Sequence, residues 1–245
     1  MLKQKTAALE AAKLLEKDKE LYIKQTTEAA EHERQIALES AEADQANKLA
    51  QLNLTIATYA STFYQNGKKL YAEGRLVEAL DDLNRSLKLV PDFEWANYLA
   101  GTINYEQRRY DKAIAHFKNL LSNASDPLKP YAMLRLYLAE MMSKGESQAL
   151  QDFGLKVAWP VPVFELYEGK ISPEECLAKA RSPKTKLKNG QLCSAHYYIA
   201  EYYFIKGNAY EGIRNLKKAI EYDTDWMEHL FARSRLGAYA ATSQN

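Results

Sequence analysis

Small and apolar residues recur at a fixed distance in the middle of the chain. Three pairs of them are 34 positions apart: Gly67 and Gly101, Ala79 and Ala113, and Leu83 and Phe117. Between these anchors the apolar residues keep a helical spacing, and glycine or proline stands where each helix would end. The pattern predicts pairs of antiparallel helices that cross closely at the small residues, with the larger residue filling the space beyond them.

Four such helical hairpins are predicted, together with one insertion and one closing helix. The hairpins cover about residues 60–91, 94–125, 128–158 (divergent) and 193–224. An insertion at 159–190 opens with Trp159-Pro160, and its two early prolines prevent a continuous helix there. A last helix at about 226–241 would have a single neighbour and cap the stack. Residues 59–245 are therefore predicted to form one superhelical domain.

Residues 1–58 are predicted to form a separate helical arm. No glycine or proline occurs before Gly67, so nothing interrupts a strong helical propensity. Apolar residues become sparse after Ile23, which leaves only a weakly amphipathic helix. Two interpretations remain: an exposed helix that frays in part, or an arm that mediates homo-oligomerisation through coiled-coil contacts.

The period of 34 residues resembles that of the tetratricopeptide repeat, and Ala113-x-x-x-Phe117 is similar to the pattern of that family. The resemblance implies an all-α fold: a tetratricopeptide (TPR) helical-hairpin solenoid with a long N-terminal helical extension. Chains built in this way usually bind other proteins on the concave surface of the stacked hairpins and do no chemistry.

A second resemblance is carried by the insertion and its neighbours. The chain contains, in order, Leu-Tyr-Leu-Ala-Glu at 136–140, Trp159-Pro160-x-Pro162 and Tyr167-x-Gly169-x-Ile171-Ser172. With a later Tyr-Tyr-x-x-x-Gly, this order resembles the NlpI-like tetratricopeptide lipoproteins of Gram-negative bacteria over about residues 134–236. Ser172 also starts a predicted capping box with Glu175.

What this second resemblance implies is a non-catalytic adaptor, often dimeric, that holds periplasmic proteases or cell-wall hydrolases together in the bacterial cell envelope. The N-terminal arm does not resemble that family, and it has no lipid-attachment cysteine. The compartment is therefore left open. A periplasmic location is expected if an export signal precedes Met1, and a cytoplasmic one if none does.

The charge balance excludes some classes of partner. The chain has 33 basic and 32 acidic residues and a net charge of +1, whereas a nucleic-acid binder needs a clustered positive face. No apolar run reaches the roughly 18 residues that a membrane span requires. We therefore expect no nucleic-acid partner and no membrane insertion by this chain.

Candidate chemistry is sparse. The four histidines are scattered at His32, His116, His196 and His229, without the spacing of a metal pair. Cys176 and Cys193 are interpreted as two small buried side chains rather than a disulfide or a metal site. No phosphate-binding loop or nucleophile motif occurs. The chain is predicted to have no cofactor and no metal, and not to be an enzyme.

The tetratricopeptide resemblance places a predicted binding stripe on the first helix of each hairpin. Its members are mostly aromatic, as in protein interfaces: Tyr64, Lys68, Tyr71, Trp95, Tyr98, Tyr105, Tyr197, Glu201 and Phe204. One hypothesis is that they bind a segment of a partner protein. The alternative is that they pack against neighbouring repeats, or that the N-terminal helix lies in the groove and occludes it. A structural module, in which the N-terminal helix mediates self-association into a homodimer, is the second functional hypothesis.

Overall fold

A computed structural model describes residues 2–123, 125–150, 158–181 and 185–242, without the side chains of residues 2–4, 8, 185, 186, 241 and 242. The described residues form ten α-helices and no strand: α1 (Leu2–Ala72), α2 (Leu76–Leu89), α3 (Glu94–Glu106), α4 (Tyr110–Asn123), α5 (Lys129–Lys144), α6 (Val161–Tyr167), α7 (Pro173–Lys179), α8 (Thr185–Ile205), α9 (Ala209–Ala219) and α10 (Met227–Thr242). The predicted all-α fold of helical hairpins is confirmed. None of the described helices is both long and apolar enough to cross a membrane.

The chain divides into two compact units, Met1–Ile56 and Ala57–Asn245. In the first unit the described side chains from Lys5 to Thr55 are all exposed. In the second unit, residues 57–72 of α1 pack on α2, where Ser86 donates a hydrogen bond to the Ala60 carbonyl. Helix α3 pairs with α4, and α8 pairs with α9. The core of the second unit lies between these paired helices.

The helices of each pair cross at the small residues that the repeat predicts. A Cβ atom added to Gly67 would lie 2.9 Å from Cγ of Leu83, and one added to Gly101 would lie 2.6 Å from Cε1 of Phe117. Real Cβ atoms do not approach other atoms so closely, so a side chain at either glycine would push the helices apart. In the first two hairpins, the predicted packing of a large apolar side chain against a small residue at the helix crossing is confirmed.

Two hairpins each contain a contact between a histidine and an asparagine side chain. The histidine is on the second helix in one hairpin and on the first helix in the other. Nδ1 of His116 on α4 lies 3.1 Å from Oδ1 of Asn97 on α3, and Nδ1 of His196 on α8 lies 2.9 Å from Oδ1 of Asn215 on α9. In each pair, the residue on the first helix is four positions before the small anchor of that helix. The residue on the second helix is three positions after the small anchor of its own helix. This hydrogen bond gives the second and last hairpins a common internal register.

The insertion forms two short helices. Ser172 Oγ accepts a hydrogen bond from the backbone N–H of Glu175, and the Glu175 carboxylate accepts one from the backbone N–H of Ser172, so the predicted capping box is confirmed. The helix α8 begins at Thr185, several residues before the predicted start of the last hairpin at 193. Residues 151–157 of the predicted divergent hairpin and 182–184 of the insertion lie outside the described residues.

Both cysteines are buried and unpaired, as predicted. Burial raises the pKa of the Cys176 thiol to about 12 and also raises the pKa of Cys193. Both side chains are therefore neutral and apolar at physiological pH.

Candidate partner-binding groove

The inner face of the second unit is formed by the first helices of the hairpins, and α10 packs onto it. The ring of Phe231 on α10 lies among rings from three of these helices. Its centroid is 6.1 Å from that of Tyr71, 5.8 Å from Tyr98 and 5.9 Å from Tyr197. The expectation that the last helix has a single neighbour is wrong, because its apolar side fills the space that the stacked hairpins would otherwise leave open.

A fully buried arginine lies at the centre of this contact. The guanidinium carbon of Arg135, on α5, is 4.3 Å from the ring centroid of Phe231 and 4.7 Å from that of Tyr197. Arg135 Nη1 donates a hydrogen bond to the Tyr197 hydroxyl at 2.5 Å, and Nε donates one to Tyr98 at 3.4 Å. The rings and phenol oxygens thus offset the loss of hydration of a buried charge.

Sequence reasoning did not identify Arg135. A signal was present, because Arg135 stands one turn after Tyr131 and between Leu134 and Leu136, in a helix where apolar residues dominate. A cation in the apolar middle of a helix whose other cations, Lys129 and Lys144, are at its ends predicts a buried partner, but not which rings supply it.

A second arginine, Arg235 on α10, forms an ion pair with a buried carboxylate of α8. Its Nε lies 3.2 Å from Oε1 of Glu201, whose other oxygen accepts a hydrogen bond from the Tyr105 hydroxyl at 2.7 Å. The guanidinium carbon also lies 5.0 Å from the ring centroid of Phe204. Three of the residues predicted to bind a partner therefore hold a side chain of this chain's own last helix.

Glu106, at the end of α3, links α10 to α1. Its carboxylate accepts hydrogen bonds from the Tyr71 hydroxyl at 2.6 Å and from the Ser234 hydroxyl at 2.8 Å. Burial raises the pKa of Glu106 to about 7, against the opposing effect of these hydrogen bonds and of Arg235. The charge of this carboxyl group therefore changes close to neutral pH.

The nine residues of the predicted stripe have different environments. Six are buried: Tyr64, Tyr71, Tyr98, Tyr105, Tyr197 and Glu201. Lys68 and Phe204 are half-buried, and Trp95 is 42% exposed. The expectation of an open aromatic surface is wrong for the buried members, since the rings and hydroxyls of most of them face α10, α5 or each other. Binding of a partner by the stripe as a whole stays a prediction.

One end of the inner face remains open as a pocket of about 350 Å³. Its lining combines aromatic, aliphatic and acidic side chains: Trp95, Tyr98, Leu128, Tyr131, Asp225, Trp226, Met227 and Glu228. The rings of Trp95 and Tyr98 stand nearly perpendicular, at 83°, with centroids 6.3 Å apart. Two walls of the pocket are therefore aromatic faces at a right angle, and one of them is accessible from solvent.

The indole of Trp226 is held against the backbone of α8. A Cβ atom added to Gly190 would lie 2.3 Å from Cε2 of Trp226, so only glycine leaves room for the ring at this point. Lys68 lines a separate depression that also includes Trp226. The wall that Trp226 contributes is thus fixed by packing.

Little else in the described residues suggests chemistry. No group of three or more histidine, cysteine, aspartate or glutamate side chains among them could hold a metal ion. A wider depression of about 670 Å³ lies between α2 and α4 and is lined by polar side chains such as Asn84, Lys88 and Asn119.

Comparison with known proteins supports the fold type. No family model matches the chain. The chain is similar to DnaJ homolog subfamily C member 3 of Homo sapiens, with 26% identity over 182 residues, and to the protein of the same name of Bos taurus, with 25% identity over 182 residues. Each match covers 66% of this chain, which spans 36% of the length of these relatives. Together with the observed hairpins, this weak similarity fits a tetratricopeptide-like protein.

Proposed function

We propose that this chain is a non-catalytic interaction module that binds a partner protein at the open end of its inner face. The observation that carries this proposal is the exposure of Trp95, 42% of whose surface faces solvent beside a pocket lined by further aromatic side chains. Tryptophan and tyrosine in partly open pockets are the residue types that contribute most to binding energy in protein interfaces.

The helical hairpins support the same function, because repeat folds expose long surfaces and commonly act as binding scaffolds. The buried tyrosines then have a supporting role. Their rings hold α5 and α10 in place; α5 contributes Tyr131 to the pocket, α10 contributes Met227, and Trp226 directly precedes α10.

Affinity capture with matched aromatic variants tests this function. The full chain is immobilised, candidate partners are identified by mass spectrometry, and their affinities are measured for the wild type, Trp95→Ala and Tyr210→Ala. Tyr210 on α9 is 76% exposed and does not line the pocket, so it controls for the loss of an exposed ring. We expect Trp95→Ala to weaken binding at least about tenfold, as at an interface hot spot.

Binding that survives Trp95→Ala, or that depends equally on Tyr210, would refute this assignment. Alanine at Tyr98 or Tyr105 is unsuitable for the same test, because both side chains are buried and their loss would destabilise the fold. A narrower hypothesis, an adaptor for bacterial envelope proteases or peptidoglycan hydrolases, follows from the resemblance of residues 134–236. The identity of the captured partners tests it directly.

A second candidate function is self-association through the first unit. Large apolar side chains of that unit are exposed, including Leu14 at 67% and Leu21 at 55%. These two leucines are seven residues apart and so share one face of a helix. Light scattering on the full chain should then show a homodimer that Leu14→Gln with Leu21→Gln dissociates. A monomeric wild type would eliminate this candidate.

A further inference from the structure

Two aromatic clusters on the inner face each hold an arginine of this chain. Arg135 lies among the rings of Tyr98, Tyr197, Tyr198 and Phe231, with separations of 4.3 to 5.8 Å from the guanidinium carbon to the ring centroids. The guanidinium of Arg235 lies over three further rings and pairs with the carboxylate of Glu201. Guanidinium groups on aromatic faces are thus a repeated feature of this surface.

The open pocket shares the ring of Tyr98 with the Arg135 cluster, but it holds no cation of its own. The open pocket combines the rings of Trp95, Tyr98, Tyr131 and Trp226 with the carboxylates of Asp225 and Glu228, and no basic side chain is among the described residues that line it. Its two acidic groups therefore face a solvent-accessible aromatic cavity without a counter-charge inside it.

Glu228 gives this pocket its strongest attraction for a cation. The residue is only 3% exposed, and its carboxylate accepts a hydrogen bond from the Tyr198 hydroxyl at the long distance of 3.4 Å. Within the described part of the chain, no lysine, arginine or histidine nitrogen forms an ion pair with it within 4 Å. Burial raises the pKa of Glu228, and the charge of Arg135 lowers it through space as the smaller effect. Arg135 is fully buried and does not line the pocket. A buried carboxylate in this position gains most from a cation that enters the pocket.

We propose that this pocket binds an arginine side chain of the partner protein. Arginine fits better than lysine for a physical reason: its flat guanidinium stacks on aromatic rings and offers several N–H donors to carboxylates at the same time. The cations held in the two inner-face clusters, Arg135 and Arg235, are both arginines. This inference rests on the proposed function, since the arginine comes from the protein that contacts Trp95.

Nuclear magnetic resonance of the indole N–H groups provides the test. The chain has three tryptophans, Trp95, Trp159 and Trp226, and two of them line the pocket. The ¹⁵N-labelled full chain is titrated with N-acetyl-arginine amide, with the neutral N-acetyl-citrulline amide and with N-acetyl-lysine amide, and the signals are assigned with Trp→Phe variants. We expect saturable shifts of the Trp95 and Trp226 signals with the arginine probe, and binding at least about tenfold weaker with citrulline.

Charge variants complete the experiment. Glu228→Gln should weaken binding of the arginine probe at least about tenfold, which is about 1.4 kcal/mol, and Asp225→Asn should weaken it less because Asp225 is exposed. Glu221→Gln makes the same chemical change at an exposed residue that does not line the pocket and should leave binding unchanged. If Glu228→Gln fails to fold, Asp225→Asn carries the comparison.

Several outcomes would overturn the assignment. Equal binding of citrulline and arginine would mean that the pocket selects shape and not charge. Lysine binding as tight as arginine would remove the preference for a guanidinium. Self-association of the chain that excess N-acetyl-arginine amide dissolves would mean that the arginine comes from a second copy and not from a partner. If the arginine probe fails while partner capture still depends on Trp95, this inference is wrong and the proposed function stands.

Discussion

Replacing Phe231 with alanine tests whether the last helix occupies the inner face of the hairpins. The Phe231 side chain is fully buried, and its ring contacts Tyr71, Tyr98 and Tyr197, which come from α1, α3 and α8. The ring is also the closest aromatic group to the guanidinium of Arg135, at 4.3 Å. A single truncation therefore removes contacts to four helices.

The expected loss of stability follows from these contacts. Truncation of a buried phenylalanine to alanine costs about 3–5 kcal/mol, because apolar contact is lost and a cavity remains. Arg135 loses one of its aromatic faces, which raises the cost, whereas the better helix propensity of alanine returns about 0.5 kcal/mol. We expect the free energy of unfolding to fall by about 4 kcal/mol. The matched control is Leu230→Ala, a half-buried neighbour on the same helix, for which we expect about 1–2 kcal/mol.

Urea unfolding followed by tryptophan fluorescence measures both losses. All three tryptophans lie in the second unit, so the exposed helix of residues 5–55 does not contribute to the signal. The midpoint should shift without a change of slope if the variant unfolds in one step. If Phe231→Ala lowers the free energy of unfolding no more than Leu230→Ala does, α10 does not pack among the rings of the inner face. The description of an inner face covered by α10 is then wrong.

Three further predictions concern the hairpins and their polar contacts. Gly101→Ala should destabilise the protein because its Cβ would overlap the facing helix, whereas Gly237→Ala, with open space around the added atom, should stabilise α10 by up to about 1 kcal/mol. Asn97→His and His116→Asn should each cost about 1 kcal/mol, and their combination should cost less than the sum because it recreates the pair found in the last hairpin. Glu106 has a pKa of about 7 when folded instead of the ordinary 4.5, so the folded state binds a proton that the unfolded state lacks between these values. The free energy of unfolding should therefore fall by up to about 3 kcal/mol as the pH rises from 4.5 to 7, and Glu106→Gln should remove that contribution.

Thermal or urea unfolding checks each of these. A stabilising Gly101→Ala would mean that the helices can separate without cost. A double exchange of Asn97 and His116 that costs the full sum of the single changes would show that the two side chains do not interact. A Glu106→Gln variant with the same pH profile as the wild type would show that other carboxyl groups account for the pH dependence.

Much of the fold could be predicted because the signals are local. The recurrence of Gly67 at Gly101 marks a contact between helices that are adjacent in sequence, and the capping box of Ser172 depends on a residue only three positions away. The stripe of candidate site residues was also derivable, because the face of each first helix follows from the repeat. Whether that face is open could not be derived, since periodicity describes which side a residue occupies and not what covers it.

The sequence by itself therefore determined the helices, their pairing into hairpins and the aromatic character of the inner face, since helix formation and close crossings depend on residues within about one repeat. Only the tertiary structure decided that α10 covers most of this face. The contact between Ser234 and Glu106 joins residues 128 positions apart, and the pair of Arg235 with Glu201 joins different helices. Several segments of the chain could bury the same surface through long-range contacts of this kind. Which segment does so depends on the packing of all the helices together. The same packing leaves Trp95 accessible at one end, beside the acidic aromatic pocket where we place the partner's arginine.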